Sequence, residues 1–132
     1  MRERLKKVDR LVNVQRQLHR NAELQLVSLE HREAELKTAQ EELLQAMGDT
    51  DALHGLFVDV IAKRVKMLAL EEAKTRAAIV DQRAVTVAKA LQVKRSEKLF
   101  SRVKEDVRQS QEKTDLNAIL EAIVGRGSTS LP

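Results

Sequence analysis

Two stretches of this chain, residues 1–47 and 56–124, contain neither glycine nor proline, and together they are most of its 132 residues. In a helix interior glycine costs about 1 kcal/mol and proline about 3 kcal/mol relative to alanine. Long intervals free of both can stay helical from end to end, and they lack the residues that normally punctuate turns. The first glycine is Gly48, and the single proline is Pro132. The sequence therefore reads as a helical rod rather than a globule. Phe57 and Phe100 are the only aromatic residues, so Leu, Val, Ile and Ala must form nearly all of any buried surface. With 33% charged and 42% apolar residues, the composition fits a coiled coil.

A heptad placed on the first segment sets Val8, Leu11, Gln15, Leu18, Ala22, Gln25, Leu29, Arg32, Leu36, Ala39, Leu43 and Ala46 inward, and nine of these twelve are apolar. Spacing of three and four sustained over this length implies a left-handed supercoil against another helix. Gln15, Gln25 and Arg32 read as register control. Gly48-Asp49-Thr50-Asp51 then supplies turn and N-cap residue types, with Thr50 or Asp51 opening a second helix. Beyond it the stripe runs through Leu56, Val60, Lys63, Met67 and Leu70. It shifts phase to Ala73, Ala77, Val80, Ala84, Val87 and Leu91, and shifts again to Phe100, Val103 and Val107.

A turn at 48–51 makes the two helices antiparallel neighbours, with facing residues whose numbers total about 100. The first helix would be about 68 Å long and the second, to residue 112, about 90 Å. The second overshoots the first, which leaves Phe100, Val103 and Val107 as an exposed apolar overhang available to a partner. Thr114-Asp115 looks like a fresh helix start, followed by Leu116, Ile119, Leu120, Ile123 and Val124, with Gly125 as C-cap. The expected fold is all-α: a long antiparallel two-helix coiled-coil hairpin over 1–112, a short C-terminal amphipathic helix over 113–125, and a disordered tail over 126–132. The amphipathic helix either folds back over the overhang or extends the rod.

Charge is distributed unevenly. Residues 1–20 hold seven Lys or Arg against two acids, and residues 89–108 hold seven against three. Residues 21–51 are acidic. Folding the hairpin brings both basic runs to the open end, where their mutual repulsion makes an acidic partner surface the natural receptor.

No catalytic constellation is present. His19, His31 and His54 lack the neighbours of a zinc or di-iron motif, and there is no cysteine. Gly125-Arg126-Gly127-Ser128 lacks the strand and following helix of a phosphate loop. We expect no enzyme activity, no cofactor, no metal and no small-molecule substrate. The longest apolar runs are four residues, such as 67–70, far from the roughly 20 needed to span a membrane. A cytoplasmic protein is expected.

The segments Arg2-Glu3-Arg4-Leu5-Lys6-Lys7, the 48–51 turn and Val93-Lys94-Arg95-Ser96-Glu97-Lys98-Leu99-Phe100 give the chain the layout of the flagellar export stalk proteins. Over residues 1–112 it resembles that family, FliJ and its virulence-system counterparts. The resemblance implies a non-enzymatic stalk or chaperone component of a type III export apparatus. Its basic open end would enter a hexameric export ATPase and link it to the export gate, so that membrane association is indirect. Arg4, Lys6, Lys7, Arg10, Lys94, Arg95, Lys98 and Arg102 are the candidates for ring binding. Phe57, Ile61 and Leu68 are the candidates for the export gate or for substrate chaperones. Two other classes remain open: a structural coiled-coil scaffold that self-associates through the overhang, and a basic nucleic-acid-associated coiled coil. The second is disfavoured because Phe100 alone would offer base stacking near the basic end.

Overall fold

The computed structural model describes residues 2–49 and 55–129. They form two helices, α1 (Arg2–Asp49) and α2 (Gly55–Thr129), and no strand occurs among the described residues. The helices pack against each other as an antiparallel hairpin, the expected fold class. Thr50 and Asp51, expected to open the second helix, lie outside the described residues, as does His54.

Local chemistry supports continuous helix throughout. Side chains one turn apart meet at His19–Glu23 (3.0 Å) and His31–Glu35 (2.9 Å), and Glu72 and Arg76 form an ion pair at 2.6 Å. The hydroxyls of Thr75 and Thr86 donate back to the carbonyls of Glu71 and Gln82, both at 2.8 Å, which satisfies polar groups that would otherwise compete with the helix.

Three expected boundaries are corrected. Gly48 is helical rather than part of the turn, and no described glycine has positive φ. Gly125 is not a C-cap, because α2 continues through it to Thr129, which also places 126–129 of the expected disordered tail in helix. Nor is 113–125 a separate helix: it neither folds back nor restarts. The residues read as a start signal are absorbed into the running helix, where Thr114 Oγ1 donates to the Ser110 carbonyl (3.0 Å) and Gln111 Nε2 to Asp115 Oδ1 (3.2 Å).

The hairpin divides into two compact units, one of residues 18–90 and one combining residues 1–17 with 91–132. In the 18–90 unit the inward positions of α1 are Ala22, Leu26, Leu29, Glu33, Leu36, Gln40, Leu43 and Met47. Those of α2 are Ile61, Val65, Leu68, Glu72, Thr75, Ile79, Gln82 and Thr86. Leu36, at 2% exposure, is the most deeply buried large side chain. Cross-helix links run antiparallel: Arg32–Glu71 at 3.3 Å, Arg76–Glu33 at 3.3 Å and Arg83–Glu30 at 3.8 Å. Gln82 Nε2 donates to the Ala22 carbonyl at 3.1 Å. In the other unit the inward positions are Leu5, Val8, Val12 and Gln15 of α1 and Val93, Ser96, Phe100, Val103 and Val107 of α2.

This seam corrects the heptads read from sequence. On α1 the positions 8, 15, 22, 29, 36 and 43 are inward as expected. The alternate set is one residue later, with Val12 buried and Leu11 exposed, and with Glu33 rather than Arg32 turned inward. On α2 the spacing of three and four holds from Ile61 to Ser110 without a phase shift. The apolar stripe through Met67, Leu70, Val80 and Val87 lies on the exposed side instead. The reason is that the two buried polar members of the α2 seam are satisfied where they stand. Glu72 accepts from Arg76 and Gln40, and Ser96 Oγ donates to the Val93 carbonyl at 2.8 Å.

Candidate functional site

The unit formed by residues 1–17 and 91–132 holds fourteen Lys and Arg against eight Asp and Glu, whereas residues 18–90 hold ten against twelve. Both basic runs expected at the open end, apart from Arg20 and Lys89, thus belong to one compact unit. Arg4, Lys6, Lys7 and Arg10 are exposed on the first turns of α1, and Lys94, Arg95, Lys98 and Arg102 are exposed on α2. Shallow depressions lie beside them. One is lined by Glu3, Lys6, Lys7 and Arg10, and another by Lys94, Glu97, Lys98, Ser101 and Arg102.

Among the described residues, none of these eight cations takes part in an ion pair. Their neighbours are treated differently. Arg16 meets Glu97 at 3.4 Å, and Arg108 is clamped between Glu105 and Glu112, donating Nε to Glu105 at 3.0 Å. That hydrogen bond from Arg108 holds the Glu105 carboxyl below the ordinary carboxylate range, and the two glutamates raise Arg108 in turn. In the 18–90 unit Arg32, Lys37, Arg76 and Arg83 all contact carboxylates. Among the described residues Arg20, Lys63, Arg64, Lys66, Lys74 and Lys89 of that unit are unpaired as well, so what sets the basic unit apart is its excess of cations over acids.

The most structured polar cluster lies in the 18–90 unit. Glu72 is only 5% exposed, yet its two oxygens accept from Arg76 Nη2 at 2.6 Å and Gln40 Nε2 at 2.8 Å. The Arg76 hydrogen bond is the largest cause of its lowered pKa, followed by that from Gln40. Every oxygen of this carboxylate has a partner, so the cluster reads as a seam lock rather than a reactive site.

Two groups of sequence-predicted contact residues are corrected. Leu68 is 5% exposed and Ile61 half-buried, so both belong to the seam, and only Phe57 of the gate or chaperone set is exposed. Val103 is 3% exposed, with Phe100 and Val107 half-buried, so these three are not an overhang. The cause is register: in this unit the cross-helix partners Arg16 and Glu97 have numbers totalling 113, which carries the start of α1 farther along α2 than a total of 100 would. The uncovered stretch begins later, at residue 111, and all of 111–126 is exposed. It carries Leu116, Ile119, Leu120, Ile123 and Val124 at helical spacing. The amphipathic pattern was legible there, but its position relative to the end of α1 was not.

Among the described residues no group of His, Cys, Asp and Glu is arranged to hold a metal ion, and no helix is long and apolar enough to cross a membrane. No protein family, curated protein or solved structure matches this chain.

Proposed function

We propose that the protein is a non-enzymatic coiled-coil stalk whose basic unit docks on the acidic interior of a hexameric export ATPase and links that ring to an export gate. The observation that carries this reading is the set of eight exposed cations, drawn from both helices and without an ion-pair partner among the described residues. Like charges held together in a folded unit repel one another, and an acidic receptor relieves that repulsion while steering association. The layout resembles the flagellar export stalk family, which supplies the class of partner. In this reading the protein works in the cytoplasm beside the membrane-bound export machinery. Phe57, exposed at the start of α2, is a candidate contact for the gate or for substrate chaperones.

The test is stimulation of the purified export ATPase by the intact chain. The triple variant Lys94→Glu, Arg95→Glu and Lys98→Glu should lose stimulation while its helical circular dichroism is unchanged. Undiminished stimulation would refute the assignment. A fluorescent oligonucleotide in the same titration examines the nucleic-acid alternative: tight binding that falls steeply with salt would favour it.

A structural scaffold is the second reading, favoured by the exposed apolar stripe of Leu116, Ile119, Leu120, Ile123 and Val124. It expects self-association that is lost when residues 111–132 are removed.

A further inference from the structure

Within residues 18–90, α2 carries two apolar faces. One is the seam against α1. The other lies on the opposite side of the helix, where Met67, Leu70 and Val80 are 57%, 57% and 64% exposed. Small residues separate them on the same face: Ala73, Ala77, Ala84 and Ala88, all exposed. The outer positions of a helical hairpin are ordinarily its most polar, and a helix that is apolar all round is normally buried on both sides.

We propose that this face is closed by the same face of a second copy of the chain, packed antiparallel about a two-fold axis at Ala77. Such pairing sets opposite each other residues whose numbers total about 154, and the interface becomes self-complementary. Ala77 meets Ala77. Leu70 stands over Ala84, Met67 over Ala88 and Val80 over Ala73, so that each large side chain meets a small one and the helix axes can approach closely.

Charge selects the same arrangement. Lys74 and Asp81 flank the stripe on one edge, both exposed, and among the described residues neither has an ion-pair partner in its own chain. The antiparallel pairing places Lys74 of each copy beside Asp81 of the other. Parallel pairing would instead put Lys74 and Asp81 of the two copies on opposite edges, with no ion pair between them, and would oppose Leu70 to Leu70, an overpacked alternative. The stripe from Met67 to Ala88 is about 33 Å long at the helical rise, enough for several interlocking layers. A helix from an unrelated protein would not require this chain's face to complement itself in both shape and charge.

Sedimentation of the full chain between about 1 and 100 µM should give a dimer, and Ala77→Glu should give a monomer of unchanged helical content. Lys74→Glu and Asp81→Lys should each weaken the dimer by about tenfold or more, and their combination should restore it. Because the chain has no cysteine, single replacements report geometry directly. Ala77→Cys should oxidise to a covalent dimer and Ala84→Cys should not. A monomer at every concentration, a dimer indifferent to Ala77→Glu, no rescue by the charge exchange, or equal crosslinking from position 84 would each overturn the proposal. The face shares no residue with the eight cations. Ala77→Glu should therefore keep ATPase stimulation, and failure of the ring assignment would leave the dimer intact.

Discussion

Gln40 Nε2 donates to Glu72 Oε2 across the 18–90 seam at 2.8 Å, from the same amide that also reaches the Leu36 carbonyl at 3.2 Å. This amide ties the least exposed carboxylate of the hairpin to α1, next to the most buried leucine. Stability, acid response and helix register are thus coupled at one level of the seam.

Acid should weaken that level first. The folded pKa of Glu72 lies below its ordinary value of 4.5, through the Arg76 and Gln40 hydrogen bonds. A depressed carboxyl contributes stability that is complete above the unfolded pKa and lost as pH falls through the folded one. Urea midpoints should therefore hold steady near neutral pH and decline below about pH 4.5. Glu72→Gln should lower the midpoint at neutral pH and flatten the acid decline, and an equally steep decline in the variant would remove Glu72 from the explanation.

Leu36→Ala should cost about 2–5 kcal/mol, the range for a buried leucine. A lone pair of helices has little stability to spare. Thermal melts followed by circular dichroism should show the variant largely unfolded near 37 °C.

Gln15 should respond in the opposite direction. Its Oε1 is buried in the basic unit without a hydrogen-bond partner, the one such side-chain atom among the described residues. Gln15→Leu removes that desolvated acceptor and adds seam packing, so the variant should be more stable by about 1 kcal/mol. Chemical denaturation measures the difference, and a loss of stability would assign Oε1 a partner in solution.

Salt should stabilise the basic unit. Repulsion among its exposed cations is screened once the Debye length falls from about 10 Å at 0.1 M to about 4–5 Å at 0.5 M. Amide hydrogen exchange in residues 2–17 and 91–108 should slow as salt rises, whereas the 18–90 unit, with ten cations against twelve acids, should show no such gain.

Much of the fold was legible in the sequence because helix continuity is a local property. The Gly- and Pro-free stretches marked both helices, and half of the α1 heptad, from Val8 through Leu43, fell on the seam. The other half was misread because Leu11 and Leu18 are as apolar as Val12, so composition could not separate adjacent positions. On α2 only the last part of the stripe, Phe100, Val103 and Val107, fell on the seam. The outer face of Met67, Leu70 and Val80 is more apolar than a seam containing Glu72, Thr75, Gln82 and Thr86, of which Glu72 and Gln82 gain their α1 partners only once the hairpin exists. Register was lost for the same reason: nothing local distinguishes cross-helix totals of 100 from 113, yet that difference decides whether Val103 is exposed or buried. The eight cations were legible as charge runs. That they lack ion-pair partners while Arg76, Arg83 and Arg108 have them is a property of the folded hairpin.

The most direct test of the central claim compares two triple charge reversals in affinity for the export ATPase ring. One places Glu at Lys6, Lys7 and Arg10, and the other at Lys94, Arg95 and Lys98. If the two basic runs form one docking surface, each triple should weaken binding by more than about a hundredfold, roughly 2.7 kcal/mol, with helicity intact. Undiminished binding by either triple would contradict the account.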